Sequence, residues 1–435
     1  MAFSPVKVIG AGLAGCEAAW QLAERGIPVR LIDMKPGKLS PAHKLGSFSE
    51  LVCSNSLRSD NVENAVGLLK EELRRVGSLI MRCADETRIP AGGALAVDRN
   101  GFSSLVTERI MGHPLISVEE DEIKEIPEGL CIIATGPLTG GELIGSIERA
   151  AGTSLHFYDA AAPVVTKESL DMSKVFALSR YDRGSDYLNC PMNREEYFRF
   201  VRELVEAEAA PLHEFETPRV FEGCMPVEVM AKRGDMTLAF GPLKPVGLTD
   251  PRTGRQPFAV VQLRRDNAED TLYNIVGFQT NLRFPEQKRV FGLIPGLENA
   301  EFVRYGVMHR NSYMDSPGKL TPCFELRTRP GLFFAGQLTG VEGYVESAAS
   351  GFAAGISMAR RAAGEEPAAF SDETAIGALG HYVSCYNGSD FQPMNITFGI
   401  MAPLKNAPKN KRLRNAAVVQ RSLEHINEYV NKGVI

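Results

Sequence analysis

Local cysteine pairs are missing from this sequence. Its eight cysteines, at positions 16, 53, 83, 131, 190, 224, 323 and 385, are never closer than thirty residues. That spacing excludes CxxC redox pairs and zinc knuckles and argues against a disulfide framework. The seven histidines are dispersed and show no metal-ligand spacing, so no metal is expected. Also absent is any uncharged apolar run long enough to cross a bilayer. The first strand-like run begins too early to leave room for a basic leader and an apolar segment, so a cytoplasmic enzyme without a membrane role is expected. An excess of positive charge is lacking as well. With 48 basic and 53 acidic residues the net charge is −5, which argues against a general nucleic-acid binder. No internal repeat and no low-complexity tract is present.

What the chain does have stands at its front. The β-branched run Val6-Lys7-Val8-Ile9 leads into Gly10-Ala11-Gly12-Leu13-Ala14-Gly15, and Ala14, Ala18 and Leu22 share one face of a following helix that Gly26 stops. Pro28 to Ile32 then predicts a second strand ending at Asp33, eighteen residues after the last glycine. Gly10 and Gly12 let the backbone turn tightly and approach a pyrophosphate, while Gly15 lets helix and strand pack closely. The helix N-terminus attracts phosphates, and Asp33 can accept from a ribose hydroxyl. A glycine triplet alone is weak evidence. In this strand–turn–helix–strand setting it predicts a bound dinucleotide.

The remaining length, 435 residues of which 44% are hydrophobic, suffices for two or three domains with proper cores. Helical periodicity runs over 66–80 and from about Ser103 to Ile110, and Leu130 to Gly136 reads as a buried strand ending in a glycine turn. From about Phe157 the texture becomes mixed α+β, with Pro- and Gly-rich stretches of the kind that line sites. Near Leu332 the nucleotide-binding texture returns. Leu332 to Gly336 reads as a strand running into a turn, and Val345 to Arg361 as a small-residue helix. Flavoproteins usually place a Gly-Asp pair there. Here the pair is Gly336-Gln337, with Glu342 and Glu346 nearby as possible substitutes for the acid. The expected fold is α/β: a Rossmann-like, two-dinucleotide-binding FAD domain (1–160 and 321–435, ending in a helical region) with an inserted α+β domain (161–320).

Cys224 lies just before Pro226, a residue suited to the first helical position, and Val227 to Lys232 predicts a short helix. The dipole and free N–H groups of that helix favour a thiolate. Cys53 precedes the polar turn Ser54-Asn55-Ser56. Free cysteines are usually small buried hydrophobes, and Cys16 and Cys131 read that way. His309, amid polar residues, reads more readily as a hydrogen-bonded structural histidine than as a ligand. The segment 405–414 carries Lys405, Lys409, Lys411, Arg412 and Arg414 and no acid. It suits either phosphate contact or a solvated tail.

Taken together, GAGLAGCEAAWQL, ELVCSNSLRS, AGGALAVDR, YLNCPM, FEGCMPVE, FGPLKPVGLTDPRTG, VGFQT, IPGLENAEFVRYGVMHRN and GQLTGVEGYVESAASG resemble the folate- and FAD-dependent tRNA (uracil-5-)-methyltransferases, the TrmFO family. The resemblance runs nearly end to end and is least distinctive in the last forty residues. Two departures are visible: Asp33 where Glu is expected, and Cys16 where Ser is more usual. The resemblance implies methylation of uridine 54 in the tRNA T-loop to ribothymidine. The carbon comes from 5,10-methylenetetrahydrofolate and the reducing equivalents from NAD(P)H through FAD.

Uracil C5 is a poor nucleophile, but a thiolate adding at C6 creates an enolate that can attack an electrophilic methylene. By resemblance, Cys224 is the nucleophile, and Cys53 is either the base for the C5 proton or the temporary partner of the methylene. His309 would hold the folate ring, and Gly10, Gly12, Gly15, Asp33, Gly336 and Glu346 the FAD. The target base must leave its stack to react. The 405–414 cations, with Lys232, Arg233, Arg264 and Arg265, are candidates for phosphate contacts. Competing readings are the same chemistry on a 23S rRNA uridine, a GidA-like wobble-uridine enzyme, a plain NAD(P)H flavin oxidoreductase, and a non-enzymatic FAD-stabilised RNA binder.

Overall fold

Apolar runs and glycine turns at the front of the chain fold as their spacing dictates. In the computed structural model, which describes residues 4–40, 42–152, 154–160, 162–182, 184–210, 225–306, 308–388 and 391–433, β1 (Val6–Ile9), α1 (Leu13–Ala23) and β2 (Val29–Asp33) form a parallel unit with Val6 opposite Val29. β3 (Ser56–Ser59), α2 (Ala65–Arg75), α3 (Leu79–Glu86), β4 (Arg88–Ile89) and β5 (Ala94–Val97) follow. Next come α4 (Arg99–Met111), β6 (Ile116–Glu120), β7 (Cys131–Ile133) and α5 (Gly141–Ala151). The middle of the chain holds β8 (Ser154–Ala160), β9 (Val164–Thr166), β10 (Phe176–Ala177), β11 (Tyr187–Met192) and α6 (Arg194–Glu206). It continues with α7 (Val227–Ala231), α8 (Thr237–Phe240), β12 (Ala259–Arg265), β13 (Leu272–Ile275), α9 (Phe284–Phe291), β14 (Phe302–Arg304) and β15 (Met308–Met314). β16 (Leu332–Phe334), α10 (Tyr344–Ala362), α11 (Ala375–Cys385) and α12 (Lys411–Asn431) end it.

Five strands pair in the order β16-β7-β1-β2-β6, all parallel. β7 and β16 are apolar and buried throughout, as strands covered on both faces are, whereas the edge strand β6 exposes Ser117 and Glu120. The strand order reverses beside β1, and the crevice at such a reversal is where ligands bind in open α/β sheets. α1 and α10 cross one face through a seam of small residues. A Cβ on Gly351 would stand 2.2 Å from the Ala14 carbonyl oxygen, so only glycine permits this approach.

Between β7 and β16 the chain builds a second, antiparallel sheet in the order β10-β11-β12-β13-β9-β14, with Leu188 opposite Leu263. This sheet has its own core, in which Phe200, Phe278, Phe291, Val261 and Leu263 are buried. β16 then returns to pair directly with β7, Leu332 opposite Cys131.

The helix expected over 66–80 is two helices. Gly77 adopts φ 76°, and the Ser78 side chain accepts the Met81 N–H, so one helix stops and another starts. The buried Glu17 carboxylate receives the Ile80 N–H at 3.0 Å and fixes the second start from outside. The helix expected at Ser103 begins at Arg99, because Asp98 caps it by accepting from Gly101 N–H.

Candidate functional site: cofactor cradle and thiol cluster

The glycine loop after β1 is shaped by the side chains it lacks. A Cβ on Gly15 would lie 1.8 Å from the Gly10 carbonyl oxygen, and one on Gly10, at φ 100°, would lie 2.5 Å from that of Ala134. Gly12 differs: nothing lies within 4 Å of its Cβ position, and as the N-cap of α1 it has no side chain to satisfy the first-turn N–H groups. An open space lined by unused donors at a helix N-terminus suits a phosphate. Asp33 is drawn onto this loop. Its Oδ2 accepts the Ala11 N–H at 2.5 Å and its Oδ1 the Lys35 N–H at 2.9 Å.

The returning half of the chain completes the cradle. Gly336, at φ 78°, donates its N–H to Ser350 Oγ on α10 at 2.7 Å. Gly343 caps α10 at φ 111°, again without a side-chain cap. The two acids near the missing Gly-Asp pair take separate partners: Glu342 bonds Gln337, while Glu346 pairs with Arg58 and accepts the Ile396 N–H at 3.0 Å. Glu346 is fully buried, and its Oε2 has no hydrogen-bond partner among the described residues. Two uncapped helix starts, an open glycine and an orphaned buried oxygen fit FAD.

A second cluster surrounds Cys53. The buried Arg99 donates to the Leu51 and Val52 carbonyls, the latter at 3.2 Å, and to Asp266 Oδ1 at 2.9 Å. Arg304 donates to the Val52 carbonyl at 2.7 Å. Arg264 reaches Ser54 Oγ at 2.6 Å and Asn55 Oδ1 at 3.2 Å. Burial pulls Arg264 and Arg304 below the ordinary guanidinium value; for Arg99 burial does the same, but Asp266 outweighs it and the net shift is upward. Three guanidiniums thus face a loop that holds a thiol, a field that favours negative charge there.

Tyr344, the first residue of α10, joins this cluster to the cradle. Its Oη accepts the Cys53 N–H at 2.8 Å and the Ser54 N–H at 3.3 Å, and lies 2.9 Å from Cys53 Sγ. A phenol oxygen has two acceptor sites and one proton. With N–H groups directed at the phenol oxygen, we assign its proton to the contact with the sulfur, Tyr344 as donor and Cys53 as acceptor. Burial, and secondarily the neighbouring Cys53, push the Tyr344 phenol well above its usual range, which keeps that proton in place.

Other expected residues are placed less closely. Cys224 lies outside the described residues. The helix after it is present, though Pro226 stands at the N-cap rather than inside, and Val227 N–H bonds the Gln279 carbonyl at 2.7 Å. The backbone of His309 pairs with Asp159 across β15 and β8; its side chain is outside the described set. Lys405 and Lys409 are exposed, and Lys411, Arg412 and Arg414 open α12, where Arg412 pairs with Glu63 at 3.1 Å. Lys232 and Arg233 are exposed after α7. The expectation for Arg264 is corrected: it is buried beneath Ser54 and Asn55 and is not presented to a phosphate, while Arg265 pairs with Asp270 at 2.9 Å. Cys16 and Cys131 are core residues, their thiols pushed up to about 12 by burial. Sequence reasoning missed Tyr344, Arg99, Asp266 and Arg304. Only Tyr344 carried a signal, as the side chain between a capping glycine and a small-residue helix.

Comparison with known proteins agrees with this geometry. The family model described as Glucose inhibited division protein A matches residues 5–366. A protein from Acetivibrio thermocellus named methylenetetrahydrofolate--tRNA-(uracil-5-)-methyltransferase TrmFO is 60% identical over 430 residues, covering 98% of this chain and 99% of its own. One of the same name from Enterococcus faecalis is 57% identical over 421 residues, covering 96% of this chain and 97% of its own. The solved structure of Aquifex aeolicus GidA superposes with a TM-score of 0.69 at 16% identity, covering 99% of this chain and 74% of that one, which shows a shared fold. Aligned with such relatives over nearly its whole length, the chain belongs to the TrmFO family of methylenetetrahydrofolate--tRNA-(uracil-5-)-methyltransferases, built on the GidA-type fold.

Proposed function

We propose that this protein transfers the one-carbon unit of 5,10-methylenetetrahydrofolate to C5 of uridine 54 in the tRNA T-loop, with FAD in the cradle, NAD(P)H as reductant, and the cytoplasm as its location. The observation that carries the reading is the bond from Tyr344, at the cradle's second helix start, to the sulfur of Cys53. It joins the Cys53 sulfur through one side chain to the start of α10, which supports a role for that thiol beside the cofactor. Bound FAD supplies the hydride of the final reduction.

Every other role falls to residues of the chain. The Cys224 thiolate adds to uracil C6, and the electron pair released toward C5 forms the new bond to the folate-borne methylene carbon. Cys53, held as an acceptor by Tyr344 and the surrounding guanidiniums, takes the C5 proton. The electron pair that proton leaves behind expels the tetrahydrofolate nitrogen, giving an exocyclic methylene on a uracil still bonded to Cys224 at C6; hydride addition to that methylene re-forms the C5–C6 double bond and releases the Cys224 thiolate. His309 orients the folate ring. Residues 1–160 and 321–435 hold the cofactor, the portion 161–320 faces the RNA, and Lys405, Lys409, Lys411, Arg412 and Arg414 contact phosphates of the T-arm.

The test is incubation of the flavin-loaded protein with tRNA lacking ribothymidine, labelled methylenetetrahydrofolate and NADPH, with a 23S rRNA transcript alongside. Label should enter the tRNA alone, and Cys224→Ala and Cys53→Ala should each abolish it. Wild-type methylation in both variants would refute the thiol chemistry; label in the rRNA alone would transfer the same chemistry to the other substrate.

A further inference from the structure

Exposed aromatic and basic side chains lie beside the antiparallel sheet, whose strand β12 also reaches the Cys53 loop. Phe240, at the end of α8, is 80% exposed, Tyr181 is 62% exposed and Val246 is 49% exposed. Tyr181 packs on residues 246–247, at the far end of the loop that follows Phe240. Tyr181 N–H donates to the Gly247 carbonyl at 3.1 Å, and Arg180 Nη1 donates to the Val246 carbonyl at 2.7 Å. A Cβ on Gly247 would come within 3.0 Å of two Tyr181 ring carbons, so the ring lies directly on that glycine. Pro242 and Pro245 stiffen the loop by fixing φ. Tyr181 itself holds φ 61°, a left-handed conformation that is rare for a bulky residue and whose cost the surrounding structure must sustain. The strained position presents an exposed ring rather than burying one.

Cations outnumber acids in the stretch that carries this loop, while Asp182 and Asp186 lie beside Tyr181 in sequence. Residues 232–255 contain Lys232, Arg233, Lys244, Arg252 and Arg255 against only Asp235 and Asp250, in a chain of net charge −5. All five cations are exposed, and Asp250 is neutralised by Arg252 at 2.7 Å. Flat apolar faces set among cations are what single-stranded nucleic acid uses: bases stack on the rings, and phosphates meet the charges. A second copy of this chain would bring the same cations against themselves, which disfavours self-association through this face.

The platform is also suitably placed. Arg180 Nε donates to Gln262 Oε1 at 2.8 Å, and two residues along β12, on the same face, Arg264 reaches Ser54 beside Cys53. One strand therefore spans the distance from the rings to the thiol loop.

We propose that Tyr181, Phe240 and Lys244 form the platform on which unpaired nucleotides beside the target uridine stack while that base enters the site. This inference rests on the tRNA reading above, and the experiment separates the two. The flavin-loaded full chain and its Tyr181→Ala, Phe240→Ala and Lys244→Glu variants are titrated with unmodified tRNA at several salt concentrations, and NADPH-driven flavin reduction is followed in each.

Each lost ring should raise the tRNA Kd about tenfold. Tyr181→Phe should bind as wild type does, and Lys244→Glu should flatten the salt dependence by about one unit of slope. Flavin reduction should not change. Wild-type binding that all three substitutions leave intact would overturn the platform alone. Variants that bind tRNA normally but lose a dimer seen for the wild type would assign the face to self-association and overturn it too. A wild-type protein that binds no tRNA would overturn both readings.

Discussion

The cofactor cradle and the thiol cluster are assembled from opposite materials. The cradle is made by omission: Gly10, Gly12 and Gly15 remove side chains so that backbone can approach backbone or a phosphate, and all three lie within six residues. The cluster is made by long side chains meeting from distant parts of the chain. Tyr344 reaches Cys53 across 291 residues, and Arg99 reaches Asp266 across 167. A local device tolerates no added atom, whereas a distributed one fails when a partner is withdrawn and its buried counterpart is left unpaired.

Substitutions can break that contrast, the largest effect coming first. Gly15→Val inserts atoms where a Cβ already meets a carbonyl oxygen at 1.8 Å, so the protein should be recovered colourless or unfolded. Retention of a yellow, folded protein would show that the loop has more room than its geometry allows. Arg99→Met removes one half of a buried ion pair and strands Asp266, which should cost about 3–5 kcal/mol in denaturant unfolding. Adding Asp266→Leu should recover part of that loss, and a strictly additive double variant would show that the two charges do not act as a pair.

Glu72 sharpens the comparison, being distributed like the thiol cluster but, among the described residues, without a paired cation. Buried on α2, it accepts the Ala375 and Ile376 N–H groups at 2.7 and 2.9 Å and bonds Ser422 on α12. Burial pushes its carboxyl up to about 7. The native state therefore holds this proton to higher pH than the unfolded chain does. Its contribution to stability is present below the unfolded value of about 4.3 and is lost as pH rises toward 7. That loss amounts to about 4 kcal/mol. Glu72→Gln should flatten the stability profile between those pH values; an unchanged slope would assign the titration to another group.

Tyr344→Phe, which removes the hydrogen bond to the sulfur together with the acceptor of the Cys53 and Ser54 N–H groups, should slow methylation about 10- to 100-fold while leaving FAD affinity unchanged. The smallest effect is at Arg412, whose exposed pair with Glu63 contributes under about 1 kcal/mol. Arg412→Ala should leave the melting temperature alone and reduce only the salt dependence of tRNA binding.

The same contrast explains what could be read in advance. The cradle was legible because its physics is local: a strand, three glycines and an acid at fixed spacing determine the turn. Cys53 could be singled out from the polar turn beside it, but its neighbours could not. Arg99 reads as one more helical cation, and Asp266 as one of many loop acids. Arg264 was misread because the pattern of β12 does not show which face the Cys53 loop covers. The break at Gly77 was missed because helical periodicity continues across it, while Ser78 and the distant Glu17 supply the second start.

The central claim is that the Tyr344 proton is given to the sulfur of Cys53. Its most direct test is the pH dependence of alkylation at residue 53, read by peptide mass spectrometry in flavin-loaded protein carrying Cys224→Ala, with and without Tyr344→Phe. The account predicts that removing the phenol moves the alkylation curve to higher pH, because the thiolate has lost a donor. Superimposable curves would contradict it.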